Sequence, residues 1–228
     1  MKIFFEQFIT KGGYKVALEG LLATAEIAVF GLLIGILLGT LIAVVRVMPK
    51  YRVFPRILDV ICNIYVGFFR GTPMVVQLLV GYYVLLPALG IRVNGIIVAI
   101  AIFGLNSAAY VSEIMRSGIQ SVDIGQLEAA RALGMPYSMA MLKIVIPQSI
   151  KNILPTLGNE FIVLVKDTSI VSFIAVVDIT KAFRQIGDAT YEYVIPYLFL
   201  AVVYLVIVIG ITLLIRLMER RLKKSERK

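Results

Sequence analysis

The stretch IAVFGLLIGILLGTLIAVV, residues 27–45, runs for nineteen residues without a charge. A helix needs about 20 apolar residues to cross ~30 Å of hydrocarbon, and it can do so because it satisfies its own backbone hydrogen bonds. With a helix start as early as Val16, this run reads as a membrane span. Gly31, Gly35 and Gly39 recur within it at four-residue spacing, continued by Ala43. A stripe of small residues lets a second helix approach closely, either from the same chain or across a dimer seam.

Three further charge-free runs lie downstream: Gly71–Ile91 with 21 residues, Val93–Ser112 with 20 and Tyr193–Ile215 with 23. The helix carrying the first of these starts near Arg56, and Thr72-Pro73 predicts a break in it, because proline disfavours helix at its own position and just before it. Asn152–Asp178 is also long enough, although it carries Glu160, Lys166 and Asp167, and reads as a span with a polar inner face. The expected fold is an all-α membrane protein of about five transmembrane helices.

Composition agrees. Of 228 residues, 60% are hydrophobic and 16% charged, with a mean hydropathy of +0.92, where a soluble domain carries about a quarter charged residues. A net charge of +9 raises the question of nucleic acid in a soluble protein. Here the basic residues fall between apolar runs, so membrane orientation accounts for them and no nucleic-acid partner is expected. Five spans put the termini on opposite sides. The segments Arg46–Arg56, Arg116–Lys151 and the tail from Arg216 hold fifteen basic residues on one side, against six on the other. The positive-inside rule then predicts an outer N-terminus and a cytoplasmic C-terminus. Residues 1–13 do not read as a cleavable signal, because Glu6 and Lys11 interrupt them. The charged tail Arg216–Lys228 reads as a helix end fraying into solvent.

Cys62 is the single cysteine and there is no histidine. An internal disulfide, a His-based metal site and a Ser-His-Asp triad are therefore excluded, and Cys62 says nothing of redox compartment. No G-x-x-x-x-G-K-[ST] phosphate loop is present, so the chain brings no nucleotide site of that kind.

The longest segment between spans, 116–150, contains Asp123-Ile124-Gly125-Gln126-Leu127-Glu128-Ala129-Ala130-Arg131-Ala132-Leu133-Gly134-Met135-Pro136. Asp123 predicts a helix N-cap, with Gln126 three residues on as a variant capping box. Gly134 stands where a left-handed C-cap residue belongs, and Pro136 discourages continuation. Ala129, Ala130 and Ala132 leave little bulk, so this helix can serve as a plain structural element or lie close against another protein.

These residues carry a resemblance. Glu128-Ala129-Ala130, Gly134 and Ile144-Val145-Ile146-Pro147 resemble the EAA signature of ATP-binding-cassette importer permeases, with Ile146 where that pattern has leucine. Phe69-Arg70-Gly71-Thr72-Pro73, the stretch from Ala109-Tyr110 through Glu113-Ile114 and Arg116 to Gly118-Ile119-Gln120-Ser121-Val122, Gly158-Asn159-Glu160-Phe161-Ile162 and Lys166-Asp167-Thr168-Ser169 resemble the polar amino acid branch, which includes histidine, glutamine and arginine permeases. The match covers roughly 16–216. Gly67 departs from the family, where relatives often carry an acidic residue, and Asp123 stands where many have proline.

The resemblance implies one transmembrane permease domain over residues 1–228, with 116–150 as its cytoplasmic coupling loop, in the cytoplasmic membrane. It implies a type I importer, in which two permease subunits pair as a homo- or heterodimer. Two cytosolic ATPase subunits, holding ATP and Mg, would receive the helix bearing Glu128, Ala129, Ala130 and Gly134, and an extracytoplasmic binding protein would deliver substrate. The chain itself would be neither an enzyme nor a cofactor binder.

An ionisable group within a span costs about 2.5–3.5 kcal/mol on insertion scales and faces a cavity or a partner. An amino acid zwitterion needs a negative partner for its ammonium and a positive or N–H-rich one for its carboxylate. Glu160 and Arg70 offer these, with Asn159, Thr72 and Thr168 as neutral contacts. The alternative is a structural network in which Lys166 or Arg70 neutralises Glu160 or Asp167 and polar groups satisfy backbone freed at Pro73 or Pro155. Glu113 and Arg116 read as a structural pair or gate. Glu160 favours a basic substrate, arginine, lysine or histidine, over glutamine. A self-energised secondary transporter using Glu160, Lys166 and Asp167 as a relay is the competing function, and the capped EAA helix argues against it. A membrane-embedded enzyme is weaker still, because Cys62 and Ser169 have no histidine to activate them.

Overall fold

A computed structural model describes residues 2–224. Helix α1 (Lys2–Phe5) continues through a wider turn to Thr10 and turns at Gly12, whose φ of +79° suits glycine, into α2 (Gly13–Val47). At 35 residues α2 is about 50 Å long, well beyond the ~30 Å hydrocarbon thickness. Phe4 is buried against Phe8 and Phe199, so the N-terminal segment packs on the bundle.

Helix α3 (Val53–Gly71) and α4 (Met74–Val80) meet at Thr72-Pro73, where Val53–Gly71 and Met74–Ala88 are bent by 104° relative to one another. Beyond α4 a wider turn over Gly81–Leu85 leads into α5 (Leu86–Ala88). The run Gly71–Ile91 is thus one limb of a sharply bent pair instead of a straight span. Asn94 caps α6 (Gly95–Gln120), its Oδ1 accepting from the Ile96 N–H at 2.9 Å. After α7 (Ile124–Ala132) and α8 (Tyr137–Ala140), the chain runs through a wider turn into α9 (Ile146–Asp167). That helix tightens over Thr168–Ile174 and ends at Ala175, a non-glycine residue with φ +64°.

Helix α10 (Ile179–Thr190) was not expected from the sequence. Asp178 caps it, accepting from the Thr180 and Lys181 N–H groups at 3.0 Å each, and Ile179, Ala182, Phe183 and Ile186 form its buried face. Helix α11 (Val194–Lys224) completes the chain. The basic tail continues this helix as far as Lys224, whereas Arg227 and Lys228 lie outside the described residues.

Among the described residues, three helices, Gly13–Val47, Gly95–Gln120 and Val194–Arg221, are long and apolar enough to cross a membrane, and the bent pair, counted as one span, makes a fourth. Helix α9 has the length, but its polar residues, Gln148, Lys151, Asn152, Asn159 and Glu160 among them, keep it from matching an apolar span. The core joins α2, α4, α6 and α9 through Ile27, Leu78, Phe103, Leu164 and Val171. Helix α11 exposes Leu198, Val202, Leu205, Ile209 and Leu213, an apolar surface suited to lipid.

The stripe on α2 packs against α6 of the same chain. A Cβ added at Gly31 would lie 3.1 Å from Phe103 Cβ, one at Gly35 would lie 2.5 Å from Ser107 Oγ, and one at Gly39 would lie 2.8 Å from the Ala108 carbonyl. Only glycine permits this approach. Between the two readings of the stripe, the intrachain one is realised.

Candidate translocation site

The α2–α6 contact presses fully buried Ser107 toward α9, where its hydroxyl donates to Glu160 Oε1 at 3.2 Å. Glu160 is 8% exposed, and among the described residues no cation forms an ion pair with it. On the same helix Asn152, Thr156, Asn159, Val163 and Lys166 are exposed at alternating spacings of four and three. Helix α9 therefore presents a mostly polar stripe outward and holds its glutamate inward. The polar inner face expected from the sequence is divided between these two sides.

The break at Thr72-Pro73 is satisfied by Gln77. Its buried amide donates to the Phe69 carbonyl at 2.8 Å, the Thr72 carbonyl at 3.0 Å and Thr72 Oγ1 at 2.8 Å. Asn106 of α6 then donates to Gln77 Oε1 at 2.9 Å, tying the bend to the neighbouring helix. Thr72 itself donates to the Phe68 carbonyl at 2.8 Å. Carbonyls released by the missing Pro73 N–H thereby find donors, as buried backbone requires.

Arg70 turns to a different carboxylate. It lies 3.7 Å from Glu113 Oε1, with its guanidinium 5.5 Å from the Tyr110 ring centre. Arg46 of α2 also meets Glu113 Oε1, at 2.6 Å, and Arg116 meets Oε2 at 2.7 Å. One glutamate thus gathers three arginines from α2, α3 and α6. The expected Glu113–Arg116 pair exists inside this larger cluster.

Past α6, Asp123 caps α7 by accepting from the Gly125 N–H at 2.9 Å. That donor lies two residues on, so the Asp123–Gln126 capping box is replaced by a simpler cap. At the other end the Met135 N–H bonds the Ala130 carbonyl at 3.1 Å and the Gly134 N–H bonds the Arg131 carbonyl at 3.0 Å, with Gly134 at φ +82°. This nested pair is a Schellman stop built on a left-handed residue. Ala130 is buried, whereas Glu128, Ala129, Ile124 and Leu133 are exposed, Leu133 at 87%. Beneath the helix Tyr137 donates to the Val47 carbonyl at 3.4 Å, and burial pushes its hydroxyl pKa up.

Residues 31–224 match the family model described as binding-protein-dependent transport system inner membrane component. The chain belongs to this family. The arginine transport system permease protein ArtQ of Bacillus subtilis (strain 168) is 40% identical over 209 residues, 92% of this chain and 93% of that protein. A relative from Rickettsia prowazekii (strain Madrid E), named for glutamine transport, is 36% identical over 205 residues, 90% of this chain and 92% of its own. A solved structure of an amino acid ABC transporter with histidines is 40% identical, with a TM-score of 0.85 over 94% of this chain and 98% of that one. The MetNI methionine ABC transporter, 17% identical with a TM-score of 0.71 over 92% of this chain and 95% of that one, shares the fold. The chain is accordingly a multi-pass inner membrane permease of the type I importer fold.

Within this permease the sequence-expected residues fall at four separate places. Glu160 is buried on Ser107, Arg70 and Thr72 stand at the α3–α4 break, and Thr168 is buried and donates to the Val165 carbonyl at 2.8 Å. Asn159 lies on the exposed stripe, one residue from Glu160 but on another face. No hydrogen bond or ion pair joins Glu160 to Arg70 among the described residues. Ser107, Gln77 and Asn106 were missed. Their signal was present, since each is a polar residue inside an otherwise apolar run, MVVQLLV or FGLNSAA. Among the described residues, no group of three or more His, Cys, Asp or Glu side chains is placed to hold a metal.

Proposed function

We propose that this permease is the membrane-spanning half of an ATP-driven importer for basic amino acids, arginine, lysine or histidine. The observation carrying the substrate class is Glu160, a buried carboxylate with a hydroxyl donor and, among the described residues, no cationic partner. A negative charge at this depth is costly unless neutralised, and a cationic substrate would supply that charge while it passes. The arginine-named relative supports this reading. Glutamine is the second reading, favoured by the glutamine-named relatives at similar identity.

The polar stripe of α9 is unsuited to lipid, so it lines the translocation path, facing a second permease subunit. Two such subunits, alike or different, form the membrane unit. Arg70, Thr72, Asn159 and Thr168 are candidates for neutral or carboxylate contacts along the path. Exposed Leu133 and Ile124 flank Glu128 and Ala129 on α7, the surface that docks a cytosolic ATPase subunit carrying ATP and Mg. An extracytoplasmic binding protein supplies the amino acid, and the C-terminus is cytoplasmic.

The test is reconstitution. The permease alone in liposomes should accumulate no amino acid under a proton or sodium gradient. With the ATPase subunit, binding protein and ATP it should accumulate arginine, and unlabelled lysine or histidine should compete better than glutamine. Gradient-driven accumulation by the chain alone would make it a secondary transporter, and stronger competition by glutamine would move the substrate class to the neutral amino acids.

A further inference from the structure

At the end of the bundle opposite Arg46 and Glu113, a cavity of about 620 Å³ opens between α2, the start of α6 and the loop joining α9 to α10. That volume lies in the range of small-molecule sites, roughly 300–1,000 Å³. Glu19, Tyr82, Asn94, Ala175, Val176 and Gln185 are among its lining residues. Glu19 is exposed and makes no hydrogen bond or ion pair among the described residues. Asn94 uses its Oδ1 to cap α6, leaving its amide N–H groups for another partner.

Lys181, four residues before the lining residue Gln185, donates from Nζ to the carbonyl of Ala175, itself a lining residue, at 2.8 Å, so an ammonium stands next to this wall. Ala175 has φ +64°, a conformation that non-glycine residues adopt at some cost and that concentrates at functional sites. Close packing holds the wall: a Cβ at Gly95 would lie 2.8 Å from Val176 Cγ2. The cavity is thus lined by a carboxylate from α2 and by the amides of Asn94 and Gln185, with the Lys181 ammonium bonded to one of its wall residues.

We propose that this cavity is an acceptor site for a free amino acid zwitterion, Glu19 taking the α-ammonium while Lys181 and Asn94 take the carboxylate. Every amino acid carries these two groups, so the site recognises the backbone of the substrate and leaves side-chain selection to deeper residues. It rests on the reading of the chain as an amino acid importer but is independent of the role given to Glu160.

The experiment uses the permease–ATPase complex without binding protein, with Cys62→Ser and a single reporter, Val16→Cys, on the cavity wall. Modification of that thiol by a charged methanethiosulfonate should be slowed by arginine and equally by glutamine. In Glu19→Gln and in Lys181→Met the half-protecting concentration of both should rise about fivefold, the loss expected for a partly exposed charge contact, and Glu19→Asp should retain protection. Glu160→Gln should leave protection unchanged, so failure of the Glu160 reading would not affect this result. An absence of protection in the unmodified cavity, or equal protection in all variants, overturns the proposal. So does loss of binding-protein-stimulated ATPase activity in Glu19→Gln with protection intact, because the cavity mouth would then be a protein-docking surface.

Discussion

Two glutamates define contrasting regions of this molecule. Glu113, near the basic end of the bundle, is held by arginines from three helices. Glu160, buried on α9, has one hydroxyl donor and no cation among the described residues. A carboxylate saturated by arginines ties helices together and has no capacity left for a ligand. A buried carboxylate without a counter-charge does little for cohesion and carries a standing desolvation cost. On the proposed reading that contrast separates scaffold from pathway, although both residues look alike in the sequence as acidic groups in membrane helices.

The largest effect should come from breaking the saturated glutamate. Glu113→Ala leaves Arg46, Arg70 and Arg116 facing one another, and losing the shared partner of a partly buried cluster costs about 2–3 kcal/mol, less than for a fully buried pair because solvent screens it. Thermal unfolding of the purified permease should begin well below that of the parent, and uptake of arginine and glutamine should fall in equal proportion. A selective loss of one amino acid would move Glu113 from scaffold to pathway.

A smaller effect should follow at the helix contact that delivers Ser107 to Glu160. Gly35→Val places side-chain atoms where Ser107 already stands, and overpacking of this kind costs about 1–3 kcal/mol. Reduced thermal stability together with reduced uptake is the expected result. Unchanged stability would mean that α2 and α6 do not pack closely at this point.

The smallest effect on the fold should be at the Gly134 turn, which the proposed reading makes part of the ATPase contact. A left-handed conformation costs a residue with a Cβ roughly 1–2 kcal/mol, and nothing lies within 4 Å of a Cβ at Gly134, so the penalty there is conformational alone. Gly134→Val should insert and assemble as a membrane subunit yet lose co-purification with the ATPase, whereas Gly134→Asn should retain it. Equal retention by both variants would remove this turn from the docking surface.

How much of this was legible follows from the kind of signal each feature gives. Apolar length marked α2, α6 and α11, and the capped segment 123–136 marked α7 with its glycine stop. Thr72-Pro73 located the break, but not its 104° bend, because proline reports only which local conformations are disfavoured. Helix α10 went unseen as a helix, since twelve residues with one buried face resemble a polar loop when read only for span-length hydrophobicity. Arg70 was grouped with Glu160 on charge alone. Its side chain instead reaches Glu113 and Tyr110, a choice set by the bend at Thr72-Pro73 and the lie of α3 against α6. The Ser107–Glu160 contact spans 53 positions of sequence and follows from two close helix contacts, α2 on α6 at Gly35 and α6 on α9 at Gly118.

The unpaired glutamate admits the most direct measurement. Glu160→Gln preserves shape and most hydrogen-bonding capacity while removing the charge, and losing a desolvated charge pair costs several kcal/mol, on the order of 2–5. ATP-driven uptake of arginine and of glutamine should be compared in complexes matched for membrane expression and ATPase binding. Arginine uptake should fall by orders of magnitude, with glutamine uptake, where present, much less affected. Equal losses for the two amino acids, or none, would contradict the assignment of Glu160 to the substrate path.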